Sequence, residues 1–177
     1  MTTSIPGFSA PAAASGSPLA MLSACHHRIE AQCATLRCLV SHLLARGVDD
    51  EARAVANKLI AFFDTATMQH HADEEEHLFP ALIESMAGSD AICLRQMIDG
   101  LTADHRALEA CWQHLRGVLE RIAAGECVPL LADEVEVLAA CHERHMEREE
   151  RDLLPMAARL LSDEDLARLD HAMRGRR

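Results

Sequence analysis

The sequence predicts an all-α protein, an up-down-up-down antiparallel bundle of four long helices followed by a short fifth helix. Aromatic residues make up only 3% of the chain while 49% is hydrophobic, and this composition favours a helical core over a sheet. Apolar residues recur at three- and four-residue intervals over long segments, as they do on one face of a helix. Glycine and proline separate these segments, so short turns would make consecutive helices antiparallel neighbours.

The chain divides into a predicted disordered tail over residues 1–17 and the helical bundle over residues 18–177. The tail has neither the basic start nor the continuous apolar segment of a secretory signal. Seven cysteines without a CxxC pair indicate reduced thiols, so we expect a cytoplasmic protein. The formal net charge of -11 argues against nucleic acid and membrane as partners, because both require a basic surface.

Residues with capping chemistry mark the predicted helix ends. Ser17, which a proline follows, suits a helix start, and Gly47 suits a helix end. Asp49 or Asp50 would cap the second helix, which Pro80 should kink or end. The predicted helices cover 19–46, 50–86 with a kink, 90–124, 129–160, and a short segment that starts at 162–165 and includes 166–173.

Two stretches, HHADEEEHLFP and RHMEREERDLLP, share a pattern of histidine, glutamate, apolar pair and proline. His70 precedes Glu74 by four residues, and His145 precedes Glu149 by the same interval. Residues four apart lie one above the other on a helix, so each stretch would present an imidazole and a carboxylate to one point.

Helical phase selects one inward histidine on each of the other two long helices. His105 borders an apolar stripe on the third helix, and His26 has the same apolar frame on the first, whereas His27 points away. The alternative is His27, which precedes an arginine as His105 does. The resulting order of His, His-x3-Glu, His, His-x3-Glu indicates an internal duplication with a period of about 75 to 79 residues. A duplicated helical hairpin would form a two-fold-related site, which suits two metal ions.

Imidazole and carboxylate ligands without thiolate suit iron, manganese or zinc, and the pattern does not choose among them. The alternative is that Glu74 and Glu149 face solvent and the histidines lie at polar bundle ends. We favour the metal site, because bundle cores are a usual place for glutamate and histidine ligands.

These motifs resemble the hemerythrin-like, HHE cation-binding family, in its four-histidine, two-glutamate bacterial type. The resemblance also rests on Asp104 before His105 and on the apolar pair and proline after each motif, and it covers about residues 19–160. It implies a four-helix bundle around a non-haem centre of two iron ions with an oxide or hydroxide bridge. Carried over to this chain, the ligands would be His26 and His70 on one iron, His105 and His145 on the other, and Glu74 and Glu149 between them.

One departure from the family concerns oxygen transport. Oxygen-carrying hemerythrins are similar in pattern but have five histidines, with His-x3-His on the third helix. Here Glu109 stands four residues after His105 and Leu101 four before it. The resemblance therefore argues against reversible oxygen carriage.

Other polar residues near the motifs are assigned by the same phase. His77 and Asp152 occupy equivalent places seven residues after the motif histidines, where they would hold a ligand imidazole in one tautomer, add a ligand, or line a polar bundle end. Trp112 is expected in the core near the site. The residues predicted to lie at the surface or outside the site are His42, His71, His114, His142, His171, Glu75 and Glu76.

The function predicted from these residues is a di-iron protein that binds or senses dioxygen, nitric oxide or peroxide, rather than a dedicated enzyme. One alternative is an enzyme-like role in detoxifying nitric oxide or peroxide, or in donating iron for the repair of iron-sulfur centres. Another is a bundle that stores iron or zinc or uses it structurally. No protein partner is specified by the sequence.

Overall fold

The computed structural model describes residues 16–86 and 90–175, and helices contain nearly all of them. The predicted tail before residue 16 and the predicted break at Gly88 and Ser89 lie outside the described residues. Within the described ranges there is no strand, so the predicted all-α class is confirmed. No helix in this part of the chain has the length and apolarity needed to cross a membrane.

The structure has four long helical rods, each made of one helix or of several helical segments in direct succession. The first rod is a single helix, α1, over Pro18–Arg46, and its ends lie where capping chemistry predicts them. The Ser17 side chain accepts a hydrogen bond from the Ala20 N–H at 3.3 Å. Gly47 ends the helix with a φ of 73°, in the left-handed region that favours glycine.

The second rod begins after the Asp49 side chain, which accepts the Ala52 N–H at 2.9 Å. Its segments are α2 (Asp50–Phe62), a π-helical segment (Phe63–Thr67), α3 (Met68–Asp73), a second π-helical segment (Glu74–Leu78) and α4 (Phe79–Ser85). Pro80 does not end the rod. The wide π-helical turn directly before it gives room for the ring and needs no N–H at that position.

The remaining helices complete the fold. They are α5 (Asp90–Ala123), which forms the third rod; α6 (Ala132–Arg148), a π-helical segment (Glu149–Leu153) and α7 (Leu154–Leu160), which form the fourth; and the short α8 (Asp163–Gly175). The fourth rod was predicted to start at Pro129, which is wrong by three residues. Leu131 has an extended backbone, and Asp133 and Glu134 then supply the negative charge that suits a first helical turn.

The four rods pack mainly in a cycle, and α4 of the second rod also contacts α7 of the fourth. The first and third rods both contact the second and the fourth, and α8 packs on α1. The apolar core consists of two clusters with a polar layer between them. On α5, for example, Leu101 belongs to one cluster and Leu108 to the other, and His105 lies between them. The packing thus buries one layer of polar side chains at mid-height of the rods.

Candidate metal centre

The polar layer contains all six residues predicted as ligands, and none of them is more than 3% exposed. Their ligand atoms form two groups, and within each group all atoms lie within 4.8 Å of one another. Glu74 and Glu149 belong to both groups, which makes them common to two neighbouring positions. The groups are completed by His26 and His70 in one case and by His105 and His145 in the other.

Each imidazole pair approaches through its Nε2 atoms. The His26 and His70 atoms are 3.1 Å apart, and those of His105 and His145 are 3.0 Å apart. Two ligand atoms bound at right angles to one ion, each at about 2.1 Å, lie about 3 Å apart. Both pairs therefore have the spacing of neighbouring ligands on a single ion.

The two carboxylates link the imidazole pairs. One oxygen of Glu74 lies 3.3 Å from His70 Nε2, and its other oxygen lies 3.3 Å from His105 Nε2. Glu149 makes the corresponding contacts with His26 Nε2 and His145 Nε2, both at 3.2 Å. This arrangement suits two cations bridged by two carboxylates.

The chemistry of the donor set also fits a cation. The oxygens of Glu74 and Glu149 are buried and make no hydrogen bond, which costs free energy unless a positive charge is bound. Burial and the neighbouring Glu149 raise the pKa of Glu74 well above its usual range. Burial also opposes ionisation of Glu149, but its contacts with His145 and His26 prevail and hold its pKa well below the usual range.

Two further glutamates contact the outer nitrogens of the imidazoles. His26 Nδ1 lies 2.6 Å from Glu150 Oε1, and His105 Nδ1 lies 2.7 Å from Glu75 Oε1. Glu75 directly follows Glu74 and Glu150 directly follows Glu149, so the internal repeat supplies an equivalent pair. A carboxylate at Nδ1 keeps the proton there and leaves the Nε2 lone pair free to bind a metal.

Each of these glutamates has a further partner. The Ser23 hydroxyl donates to Glu150, and Arg106 donates to Glu75 at 2.6 Å. Burial disfavours the charge of Glu75, but the hydrogen bonds from His105 and Arg106 prevail and lower its pKa. Glu75 is thereby held as the anion that orients His105.

Of the two interpretations of Asp152, its contact with Arg151 favours the polar bundle end over a place behind an imidazole, and the placement of Glu75 outside the site is wrong. Asp152 forms an ion pair with Arg151 at 2.8 Å on the outer side of the rod, while His77 is half-buried. The cause is the width of the buried face. Each rod contacts two neighbours, so a long side chain about 100° away from Glu74 still reaches the next rod.

Three histidines predicted at the surface are buried. His42, His71 and His142 are 6%, 7% and 1% exposed, whereas His114 and His171 are exposed as predicted. The error lies in treating the inner face as one narrow stripe, when residues one position or one turn from an inward residue also meet a neighbouring rod.

These buried histidines have different surroundings. His71 stacks on His105 with 3.9 Å between ring centroids, and His42 Nε2 lies 2.8 Å from Asp49 Oδ1 at the end of α1. His142 lies one turn before His145, where burial lowers its pKa to about 3. Only His71 and His142 therefore border the polar layer.

Of the two adjacent histidines of α1, the buried one is the one that its direction about the helix axis predicts. His26 is 2% exposed, and the side chain of His27 is 79% exposed. Trp112 is buried in the core as predicted, and its indole N–H donates to Asp64 at 2.8 Å.

A glycine on α5 makes room for an arginine near the centre. Arg148 donates to Asp104 at 2.6 Å, and that carboxylate lies 3.8 Å from His145 Nδ1. A Cβ atom at Gly100 would stand 2.9 Å from the Arg148 guanidinium. The glycine was visible in the sequence, but nothing local showed which side chain would pass over it.

Comparison with known proteins is consistent with this geometry. The profile of the Hemerythrin HHE cation binding domain matches residues 17–157, which contain the whole polar layer. The chain belongs to this family. A Haemophilus influenzae protein described as uncharacterized is 27% identical to this chain over 160 residues, which make up 90% of this chain and 90% of that protein. Family membership and the buried His/Glu layer together indicate a metal-binding protein.

Proposed function

We propose that this hemerythrin-like protein holds two iron ions in its polar layer and binds or senses dioxygen, nitric oxide or peroxide there. The observation that carries the proposal is the pair of carboxylates, Glu74 and Glu149, each with one oxygen beside each imidazole pair. Imidazole and carboxylate donors also suit zinc and manganese. Iron is preferred on the resemblance to the family.

The chain's own residues would divide the work in a simple way. Each position offers two imidazoles and one oxygen from each carboxylate, four donors in all, which leaves room for a small ligand. Iron, when bound, supplies redox chemistry and open coordination positions. The apolar clusters on either side exclude water, and Glu75 and Glu150 hold the protons of His105 and His26 on Nδ1.

Two wider features belong to the same proposal. The rods would run up-down-up-down, which the short connections and the contacts between consecutive rods support. The protein would act in the cytoplasm, where the seven cysteines, all free thiols in the structure, would stay reduced. The charge of -11 supports the absence of a nucleic-acid or membrane partner.

The proposal is tested by loading the protein with ferrous iron without oxygen and measuring bound metal. We expect two iron ions per chain, and an absorption spectrum that changes on exposure to dioxygen, nitric oxide or peroxide. Glu74→Ala should lose iron, whereas Glu109→Ala, on the half-buried position of α5, should retain it. Binding well below one iron per chain, or equal iron in both variants, would contradict the proposal.

The same samples separate the alternative functions. Steady consumption of nitric oxide or peroxide by the iron form, lost in Glu74→Ala, would favour an enzyme-like role. Preferential retention of zinc over iron from a mixture of both, with no response to the small ligands, would favour a storage or structural role.

A further inference from the structure

A small cavity lies beside the metal centre, between the second rod, α5 and α6. Its volume is about 10 Å³, which is room for about one water molecule. Phe63, Leu108 and Trp112 form apolar walls. Met68 also lines it and is 41% exposed, so this side of the cavity lies toward the protein surface.

The half-buried Glu109 and three buried polar side chains line the same cavity, and each of the three buried ones has an atom without a hydrogen-bond partner. The atoms are Thr67 Oγ1, His71 Nε2 and His142 Nδ1, and all three residues are more than nine-tenths buried. Buried polar atoms in folded proteins nearly always have a partner, either protein or ordered water. Three unpartnered groups around one cavity indicate that a small molecule binds among them.

The cavity lies nearest to His105 of the metal centre. The His71 ring stacks on His105 at 3.9 Å between ring centroids, and its centroid lies 5.8 Å from those of both His70 and His145. Met146 occupies the place of His71 in the other copy of the repeat, and it is 3% exposed within the apolar core. A thioether there offers no comparable hydrogen-bonding group, so the two halves of the centre differ in their surroundings.

We propose that this cavity, next to His105, is a binding site for one hydroxylic molecule: water in the cavity as it stands, or hydrogen peroxide when the exposed Met68 side chain moves aside to make room for the second oxygen. The assignment of peroxide rests on the proposed function. Hydrogen peroxide both donates and accepts hydrogen bonds, so it offers partners both to a hydroxyl and to imidazole nitrogens. Dioxygen and nitric oxide offer weak acceptors only and would leave these groups unsatisfied.

The site can be tested in metal-free crystals with a matched pair of variants. Thr67→Val removes the hydroxyl from the cavity. Thr35→Val makes the same change at the same 6% exposure in α1, where the hydroxyl bonds to the Ala31 carbonyl at 2.9 Å. Thr67→Ser, which keeps the hydroxyl, guards against a general effect of substitution at residue 67.

In high-resolution maps we expect one ordered water within hydrogen-bond distance of Thr67 Oγ1 in the wild type, Thr35→Val and Thr67→Ser. A brief soak in hydrogen peroxide should replace this water with electron density for two bonded oxygen atoms. In Thr67→Val neither the water nor the peroxide should appear. An empty cavity in the wild type, or full occupancy in Thr67→Val, would overturn the site. Water that peroxide does not displace would overturn the peroxide assignment.

A solution measurement complements the crystals. In iron-loaded protein, Thr67→Val should slow the peroxide-dependent spectral change by roughly three- to tenfold, the effect of losing about one neutral hydrogen bond. Thr35→Val and Thr67→Ser should react at the wild-type rate, and an unchanged rate in Thr67→Val would refute the peroxide assignment. Iron content is measured in the same samples. Protein that takes up no iron would refute the proposed function, whereas the metal-free crystals would still decide the cavity.

Discussion

Replacing Glu74 by glutamine should stabilise the metal-free protein while removing most of its stabilisation by metal. The Glu74 side chain is fully buried, its oxygens make no hydrogen bond, and it faces the buried carboxylate of Glu149. Glutamine has nearly the same shape without the charge, so the substitution preserves packing and relieves the repulsion between two buried acids.

The magnitude follows from proton linkage. Burial and Glu149 raise the pKa of folded Glu74 above the 4.5 of an unperturbed glutamate, so above pH 4.5 the folded protein binds a proton that the unfolded chain releases. The stability of the wild type therefore falls as pH rises from 4.5 toward the raised pKa. One proton corresponds to about 1.4 kcal/mol per pH unit, so the glutamine variant should gain up to about 3 kcal/mol on the wild type between pH 5 and 7.

The assay is thermal unfolding of chelator-treated protein, followed by circular dichroism at pH 5, 6 and 7. A difference of about 3 kcal/mol corresponds to roughly 6–12 °C in Tm for a chain of this size. The control is Glu76→Gln, an exposed glutamate of the same segment, which should change stability by less than about 0.5 kcal/mol.

Metal addition provides the second half of the experiment. Iron at one hundred times its dissociation constant should stabilise the wild type and Glu76→Gln by about 2.7 kcal/mol for each ion bound, and Glu74→Gln by much less. The reasoning would be refuted if metal-free Glu74→Gln unfolded below the wild type at pH 7. It would also be refuted if the gap between them did not shrink toward pH 5.

Three further predictions test other parts of the structure. Glu150→Gln should weaken iron binding by about 10- to 100-fold in a chelator competition, because His26 loses the carboxylate at Nδ1, and Asp152→Asn should bind iron like the wild type. Gly117→Ala should raise the free energy of unfolding in urea by about 1 kcal/mol, since a methyl group there meets no atom within 4 Å. Gly100→Ala should raise it less, because the new methyl group displaces the guanidinium of Arg148. Equal increases in the two variants would contradict the close approach of Arg148 to Gly100. The Cys33 thiol is 2% exposed and burial raises its pKa to about 12, so iodoacetamide at pH 8 should modify it only after unfolding, and mass spectrometry showing its modification in folded protein would contradict this.

Much of the fold was predictable because helix ends depend on neighbouring residues. Ser17, Gly47 and Asp49 lie at the ends that their chemistry predicts, since a cap contacts its own first or last turn. The start of the fourth rod was placed too early at Pro129, because a proline is equally at home in the extended segment before a helix.

The site was predictable in part. Spacing and phase bring the six candidate ligands into one layer, and their role in binding metal stays a prediction. Phase did not place His71, His142 or Glu75, because it describes direction about a helix's own axis and not the distance to the next helix. The unpartnered Thr67 hydroxyl likewise has a meaning only beside the cavity that the other rods enclose.

The sequence by itself therefore determines the helices, their caps and the repeated His-x3-Glu geometry, all of which depend on residues within about one helical turn. Only the tertiary structure decides which side chains meet across the layer. Glu75 contacts His105 across 30 residues of chain, and Glu150 contacts His26 across 124. Such contacts depend on how closely the rods approach and how each is rotated against the next, and those quantities are set by the packing of the whole core.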